Sequence, residues 1–286
     1  MGSEGARRRV DRELVRRGLV ASREEAQRVI ELRRVQVDGA PVRKASTLVL
    51  PEQRLIVGGP PPRFVSRGGE KLQGALERFA VTVDGLRALD AGISTGGFTD
   101  CLLQAGARQV IGFDVGYGQL AERLRRDPRV ELHERTNVRE LTLDDLGGDP
   151  VDLLVADLSF ISLGTVLPVL LPLVREDGAV IVLIKPQFEV GRARVGRGGI
   201  VRDAAARADA IAKVAEVAAR CGWPVAALMP SPIRGGEGNV EFLAHLRRDA
   251  DPDEVDAMIA AVHAEVDVMY GDLASEVGAL ASEAGS

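Results

Sequence analysis

From Leu86 to Leu246 short apolar runs alternate with amphipathic ones, and few folds accommodate that order. Strand-like runs fall at Leu86–Asp90, Gln109–Asp114, Val130–His133, Val151–Asp157, Ala179–Lys185 and Val225–Met229, with helical spacing over 70–79, 97–105, 117–126, 163–174 and 203–221. A strand, a crossover helix and a second strand form a parallel pair, so the pattern predicts an α/β domain with helices on both faces of one sheet. Val240–Leu246 predicts a seventh strand. Val255, Met258, Ile259, Val262 and Val266 recur at helical spacing and predict a terminal helix with an acidic outer face.

The first sixty residues read differently. Arg12–Gly18 predicts a short helix, and Ser22 with Glu25 forms a capping box ahead of Ala26, Val29 and Ile30. Val35–Val42 predicts two strands around an Asp38-Gly39 turn, and Arg54–Val57 another. Gly58-Gly59-Pro60-Pro61-Pro62 is a stiff breaker, so the expected organisation is a small α+β domain over 1–57, a linker over 58–63 and the large domain over 64–286.

Charge follows the same division. Residues 1–63 carry 14 Lys and Arg against 8 Asp and Glu, 64–248 carry 23 against 24, and 249–286 carry 10 acids and no base. A basic head on a neutral body predicts an anionic partner met at the N-terminal end. Arg9, Arg17, Arg23, Arg34 and Lys44 are the candidate phosphate contacts, and Arg192 opens a second basic, glycine-rich stretch ending at Gly199. With aromatics at 3% of the chain, base stacking is not the main mode, and recognition of folded RNA by shape and backbone suits the composition better. Cys101 and Cys221 are far apart, so neither a disulfide framework nor a zinc site is expected, and a reducing cytoplasm fits. His133, His245 and His263 are scattered and imply no metal. The most apolar stretch, Leu163–Val174, holds Pro168 and Pro172 and is too short to span a bilayer; no secretory leader is expected either. Nothing in the sequence calls for an oligomer.

Asp90-Ala-Gly92-Ile-Ser94-Thr95-Gly96-Gly97-Phe98-Thr99 follows a strand and opens a helix. A glycine turn there lets backbone approach a ligand and aims free N–H groups at it. Asp114 ends the next strand, where a carboxylate accepts hydrogen bonds from a ribose. That spacing suits a nicotinamide dinucleotide or S-adenosylmethionine equally. Two details favour the methyl donor: Ser94 stands where the dinucleotide fingerprint needs its middle glycine, and Asp90 beside the turn can pair with an ammonium group. Further on, two adjacent apolar runs end in Asp157 and Lys185, and charged groups at strand carboxyl ends of an open α/β sheet face the ligand crevice.

Taken together, Ser66-Arg67-Gly68 with Lys71-Leu72, Asp90 to Asp100, Asp114 to Leu120, Glu134 to Asn137, Asp157 to Ser162, Lys185 to Gly191 and Gly238 to Glu241 resemble the TlyA family over about residues 7–248. These are two-domain ribosomal RNA cytidine 2′-O-methyltransferases, often labelled hemolysins. The resemblance implies an N-terminal S4 RNA-binding domain and an FtsJ-type, Rossmann-like class I methyltransferase sheet of seven strands with the last one antiparallel. It also implies S-adenosylmethionine as cofactor, ribosomal RNA or ribosomal subunits as partner, and no membrane. By motif it places a catalytic tetrad on Lys71, Asp157, Lys185 and Glu241, with Gly69-Glu70 in place of the Ala-His common before that first lysine. It puts the methionine end of the cofactor near Asp90, Gly92 and Ser94–Thr99, the ribose near Asp114 and the adenine beside Asn137.

The residue types suit the reaction. A ribose hydroxyl is a poor acid and must lose its proton while it attacks the methyl group. A free lysine, at about 10.4, is a poor base, but burial and a second ammonium lower such values. Lys185 is the expected base, with Asp157 and Glu241 orienting and Lys71 steadying charge. Two other readings compete: a non-catalytic RNA-binding assembly factor, and a pore-forming hemolysin. Intact reactive residues oppose the first, and the want of a spanning segment opposes the second.

Overall fold

The structure, a computed structural model, describes residues 7–20, 23–59, 62–236 and 238–283. The chain divides into two compact units, the first ending at Arg67 and the second beginning at Gly68. Ser22 of the expected capping box and Pro60 and Pro61 of the expected linker lie outside the described residues.

The first unit runs β1 (Arg8–Arg9), α1 (Val10–Arg16), α2 (Arg23–Glu31), β2 (Val35–Val37), β3 (Ala40–Pro41), β4 (Leu48–Val49) and β5 (Leu55–Val57). The helices pack together over two small sheets, and Leu14, Val29, Ile30, Val35, Val49 and Leu55 bury one apolar core. The Asp38-Gly39 turn has φ of 49° and 85°, the paired left-handed geometry that joins twisted antiparallel strands. The pairing of β1 with β4 was illegible in the sequence, because strands of two residues show no period.

Two buried carboxylates that the charge pattern did not single out organise the basic head. Asp11 accepts hydrogen bonds from Arg9 at 3.1 and 2.9 Å and from Arg23 at 3.1 Å. Glu13 accepts from Arg16 at 2.8 and 2.5 Å and from Arg17 at 2.7 Å. Arg17, expected among the RNA contacts, also donates to the carbonyls of Leu50, Pro51 and Gln53, so it serves first as a strut. The Arg9 hydrogen bond holds the Asp11 carboxyl at about 2, and Arg16 holds Glu13 at about 2. Both lie below the values of an unfolded chain, so the stability they contribute is present at neutral pH and is lost as pH falls from about 4 towards 2. Asp11→Asn is expected to lower the melting temperature of the full chain by several degrees at pH 7, with the difference closing near pH 2. Circular dichroism melts across that range measure it, and an equal deficit at both ends would contradict it.

The second unit runs α3 (Gly68–Arg78), β6 (Arg87–Ala91), α4 (Gly97–Gln104), β7 (Gln109–Asp114), α5 (Glu122–Arg125), β8 (Val130–Glu134), β9 (Val151–Ala156), α6 (Leu163–Leu170), β10 (Val174–Ile184), α7 (Pro186–Glu189), α8 (Ala204–Arg220), β11 (Val225–Pro230), β12 (Phe242–Leu246) and α9 (Val255–Glu283). All seven expected strands form one sheet in the order β11-β12-β10-β9-β6-β7-β8. Strand β12 is antiparallel to both neighbours, and the other pairings are parallel. The central runs read as continuously apolar because alternate residues meet different helix layers. Leu89, Ile111, Leu154 and Val182 share a cluster with Leu167 of α6, Val214 of α8 and Val262 of α9, while the intervening Ala88, Val110, Val155 and Ile181 are buried as well.

One expected helix is mostly loop. Only Glu122–Arg125 of 117–126 is helical, because Gly116 N donates to Asp114 Oδ1 at 2.6 Å and Gly118 N to Glu134 Oε1 at 2.7 Å. Those bonds hold Gly116–Gly118 in a loop, and Gly118, with φ of 71°, lies outside helical geometry. Among the described residues no helix is long and apolar enough to cross a membrane.

Candidate active site

Strand order reverses at β6, whose neighbours are β7 on one side and β9 on the other. Outside the carboxyl ends of these strands lies a cavity of about 540 Å³, within the range of small-molecule sites. Gly92, Ser94, Asp114, Gln119, Asn137 and Asp157 are among its lining residues, with Ser159 and Phe160 at the same wall. Gly92 has φ of 91°, and a Cβ there would stand 2.8 Å from the Asp157 carbonyl oxygen. Glycine is thus required both by the turn and by the closeness of the segment after β9.

The turn is held by the acid at the end of β7. Asp114 Oδ2 accepts from Ser94 N at 2.8 Å, and Oδ1 accepts from Gly116 N. Ser94 adopts φ of 47°, and its Oγ donates to Gln119 Oε1 at 3.2 Å. Asn137 Oδ1 accepts from Arg139 N at 3.1 Å, which orients its amide at the cavity edge. Asp90, Thr95, Gly96, Gly97, Phe98 and Thr99 do not line the cavity. Gly96 gives α4 its left-handed start, Phe98 is core, and Thr99 Oγ1 donates to Asp90 Oδ2 at 2.7 Å. Asp90 is fully buried and its Oδ1 has no hydrogen-bond partner. Burial, with the Asp157 and Asp114 charges adding to it, pushes its carboxyl up to about 7.

Beside the cavity the four reactive candidates form two ion pairs. Lys185 Nζ lies 2.7 Å from Asp157 Oδ1 and donates to Ser159 Oγ at 2.9 Å. Lys71 Nζ, from α3, donates to Glu241 Oε2 at 2.6 Å in a more deeply buried pair. The register that pairs Ile184 with Phe242 places Lys185 and Glu241 side by side at one edge of the sheet. Each lysine thus has a carboxylate partner, whereas the sequence reading paired the two amines. Gly235 is needed for this, since a Cβ there would collide with the Glu241 carboxylate.

Sequence reasoning passed over Ser159, Phe160 and Gly235 as site residues. Phe160 is 91% exposed with φ of 65°, and it packs against Phe188 with ring centroids 5.2 Å apart. Its signal was the Asp-x-Ser-Phe run just past a buried strand, where polar and aromatic residues have no core to enter. Arg192, Arg23, Arg9 and Lys44 have exposed or half-exposed side chains, and Arg34 packs against Gly59.

An open α/β sheet with one antiparallel strand, and a cavity at its switch point edged by acids and ion-paired lysines, define a Rossmann-like methyltransferase. Residues 64–248 match the FtsJ-like methyltransferase model and 8–55 the S4 domain model. The chain is 52% identical to the 16S/23S rRNA (cytidine-2′-O)-methyltransferase TlyA of Mycobacterium tuberculosis, over 86% of this chain and 91% of that one. It is 36% identical to Hemolysin A of Brachyspira hyodysenteriae, over 83% and 98%. A solved structure of a hemolysin-named protein from Streptococcus thermophilus superposes with a TM-score of 0.72 at 37% identity, covering 93% and 98%. The chain belongs to the TlyA family of S4-plus-FtsJ-like methyltransferases.

The cavity suits the family's cofactor. S-adenosylmethionine carries a sulfonium and an ammonium, and Asp90, Asp114 and Asp157 converge at the strand ends around or beneath the space. The unpartnered Asp90 oxygen is a buried acceptor in want of a donor.

Proposed function

We propose that the chain transfers a methyl group to the ribose 2′-hydroxyl of a cytidine in ribosomal RNA, 16S, 23S or both. One observation carries the reading: two lysine–carboxylate pairs meet at one sheet edge, beside a cavity fit for the methyl donor. When bound, S-adenosylmethionine supplies an electrophilic methyl group. Gly92, Ser94, Asp114 and Asn137 would hold it, with the buried Asp90 beneath the glycine turn.

Lys185 Nζ in its neutral form takes the 2′-hydroxyl proton. Asp157 and Ser159 fix that nitrogen from two directions, which removes its rotational freedom before the reaction begins. Lys71 steadies charge on the attacking oxygen, and Glu241 holds Lys71 in turn. Phe160 offers an exposed face for the target base. Arg9, Arg23, Arg34 and Lys44 of the first unit, with Arg192 of the second, contact phosphates and set affinity and salt dependence. Such a substrate places the protein's work in the cytoplasm.

Tritiated S-adenosylmethionine incubated with isolated 30S and 50S subunits is expected to leave label on one cytidine ribose in each subunit that is a substrate, found by reverse-transcription stops. If cofactor and subunits both bind but no label is transferred, the chain is a non-catalytic assembly factor instead.

A further inference from the structure

Glu189 is a buried carboxylate one turn beyond Lys185, and the mechanism above makes no use of it. Its Oε2 accepts from Ser162 Oγ at 2.5 Å and its Oε1 from Leu163 N at 2.8 Å. Both donors belong to the segment that begins at Asp157 and ends by capping α6, where Ser162 Oγ accepts from Gly164 N at 3.1 Å. Burial pushes the Glu189 carboxyl up, and the Ser162 and Leu163 hydrogen bonds and the nearby Lys213 charge oppose that rise. A charge-assisted bond to an amide at the helix start is among the stronger contacts such a carboxylate can make.

Two short segments are therefore stitched together twice. The cavity side carries the Lys185 contacts to Asp157 and Ser159, and the buried side carries the Glu189 contacts to Ser162 and Leu163. With the first link alone, the segment after β9 could pivot at the strand end and carry Asp157 with it. The second link fixes both ends of that segment against the turn that bears Lys185. The acid satisfies the first amide of α6 and the Ser162 hydroxyl, and in doing so it ties that segment to the turn that bears Lys185.

We infer that Glu189 is a positioning residue, which sets the distance and direction of Lys185 Nζ from Asp157 and Ser159 by clamping the segments after β9 and β10. The inference rests on the proposed role of Lys185, and the experiment separates the two. Single-turnover methyl transfer from S-adenosylmethionine to ribosomal subunits is measured for Glu189→Ala, Glu189→Gln, Ser162→Ala and Lys185→Ala, each rate divided by the cofactor-binding sites counted by calorimetry. Glu189→Ala is expected to lose about 10²-fold in rate per site, the scale of a small misplacement of a reacting group, with S-adenosylmethionine affinity and RNA KM within about twofold. Glu189→Gln keeps an acceptor for Leu163 N and is expected to recover most of the rate. Ser162→Ala, which removes one of the two bonds, is expected to lose several-fold, and it decides the matter if the alanine variant at 189 does not fold. An unchanged rate per site in Glu189→Ala, or in Ser162→Ala when that variant must decide, overturns the positioning role. So does a loss in Glu189→Gln as deep as that in Glu189→Ala. Retained activity in Lys185→Ala would instead remove the reading on which the inference stands.

Discussion

Lys185→Ala is expected to slow single-turnover methyl transfer by about 10²–10⁴-fold, the usual span of general base catalysis, while S-adenosylmethionine and ribosomal RNA bind almost as before. The side chain reaches Asp157 and Ser159 but is absent from the cavity wall, so its loss takes no contact from the cofactor. It does take the nitrogen that receives the proton. Lys185→Arg is expected to fail nearly as badly, since a guanidinium keeps the positive charge and does not deprotonate near neutral pH. Quench-flow with labelled cofactor measures both. A variant with the wild-type rate would remove Lys185 from the chemistry, and a weakened cofactor affinity with the rate intact would make it a binding residue.

Much of this fold is legible because a parallel sheet writes itself as repeated apolar runs. Leu153 to Val155 and Val180 to Ile184 are buried on both faces, so no polar residue interrupts them. The same rule exposes part of the reactive edge: Asp157 and Lys185 are the first charged residues beyond such runs, whereas Glu241 precedes its strand and was reached only through the family resemblance. What the runs do not contain is the pairing of charges. That Lys71 meets Glu241 while Lys185 meets Asp157 depends on α3 lying over the sheet edge and on the antiparallel register of β12 against β10. Neither leaves a local trace. The basic head shows the converse, for Asp11 and Glu13 sit among arginines and read as part of a solvated charge run. Only in the folded unit are they buried acceptors that tie down Arg9, Arg16, Arg17 and Arg23. The glycine turn was legible as a ligand site, yet only its first half faces the cavity. Gly96 to Thr99 serve helix start and core, because a strand–turn–helix unit needs a left-handed residue and buried contacts of its own.

The Lys71–Glu241 pair allows stability and chemistry to be pulled apart. Both side chains are nearly inaccessible, at 10% and 3%, so removing one leaves an uncompensated charge in the interior. Lys71→Met or Glu241→Met alone is expected to cost about 3–5 kcal/mol in urea denaturation. The double variant replaces both charges with flexible apolar chains of similar length, and its stability should return to within about 1 kcal/mol of the wild type. Methyl transfer should not return with it. An ammonium beside the attacking oxygen stabilises charge that appears only as the hydroxyl loses its proton, and a thioether offers nothing in its place. A double variant that is both stable and active would show the pair to be a packing device, with the chemistry left to Lys185 and Asp157. A stable, inactive one that still binds cofactor places the pair at the reacting oxygen, because what is then missing is the Lys71 ammonium and the Glu241 carboxylate that holds it.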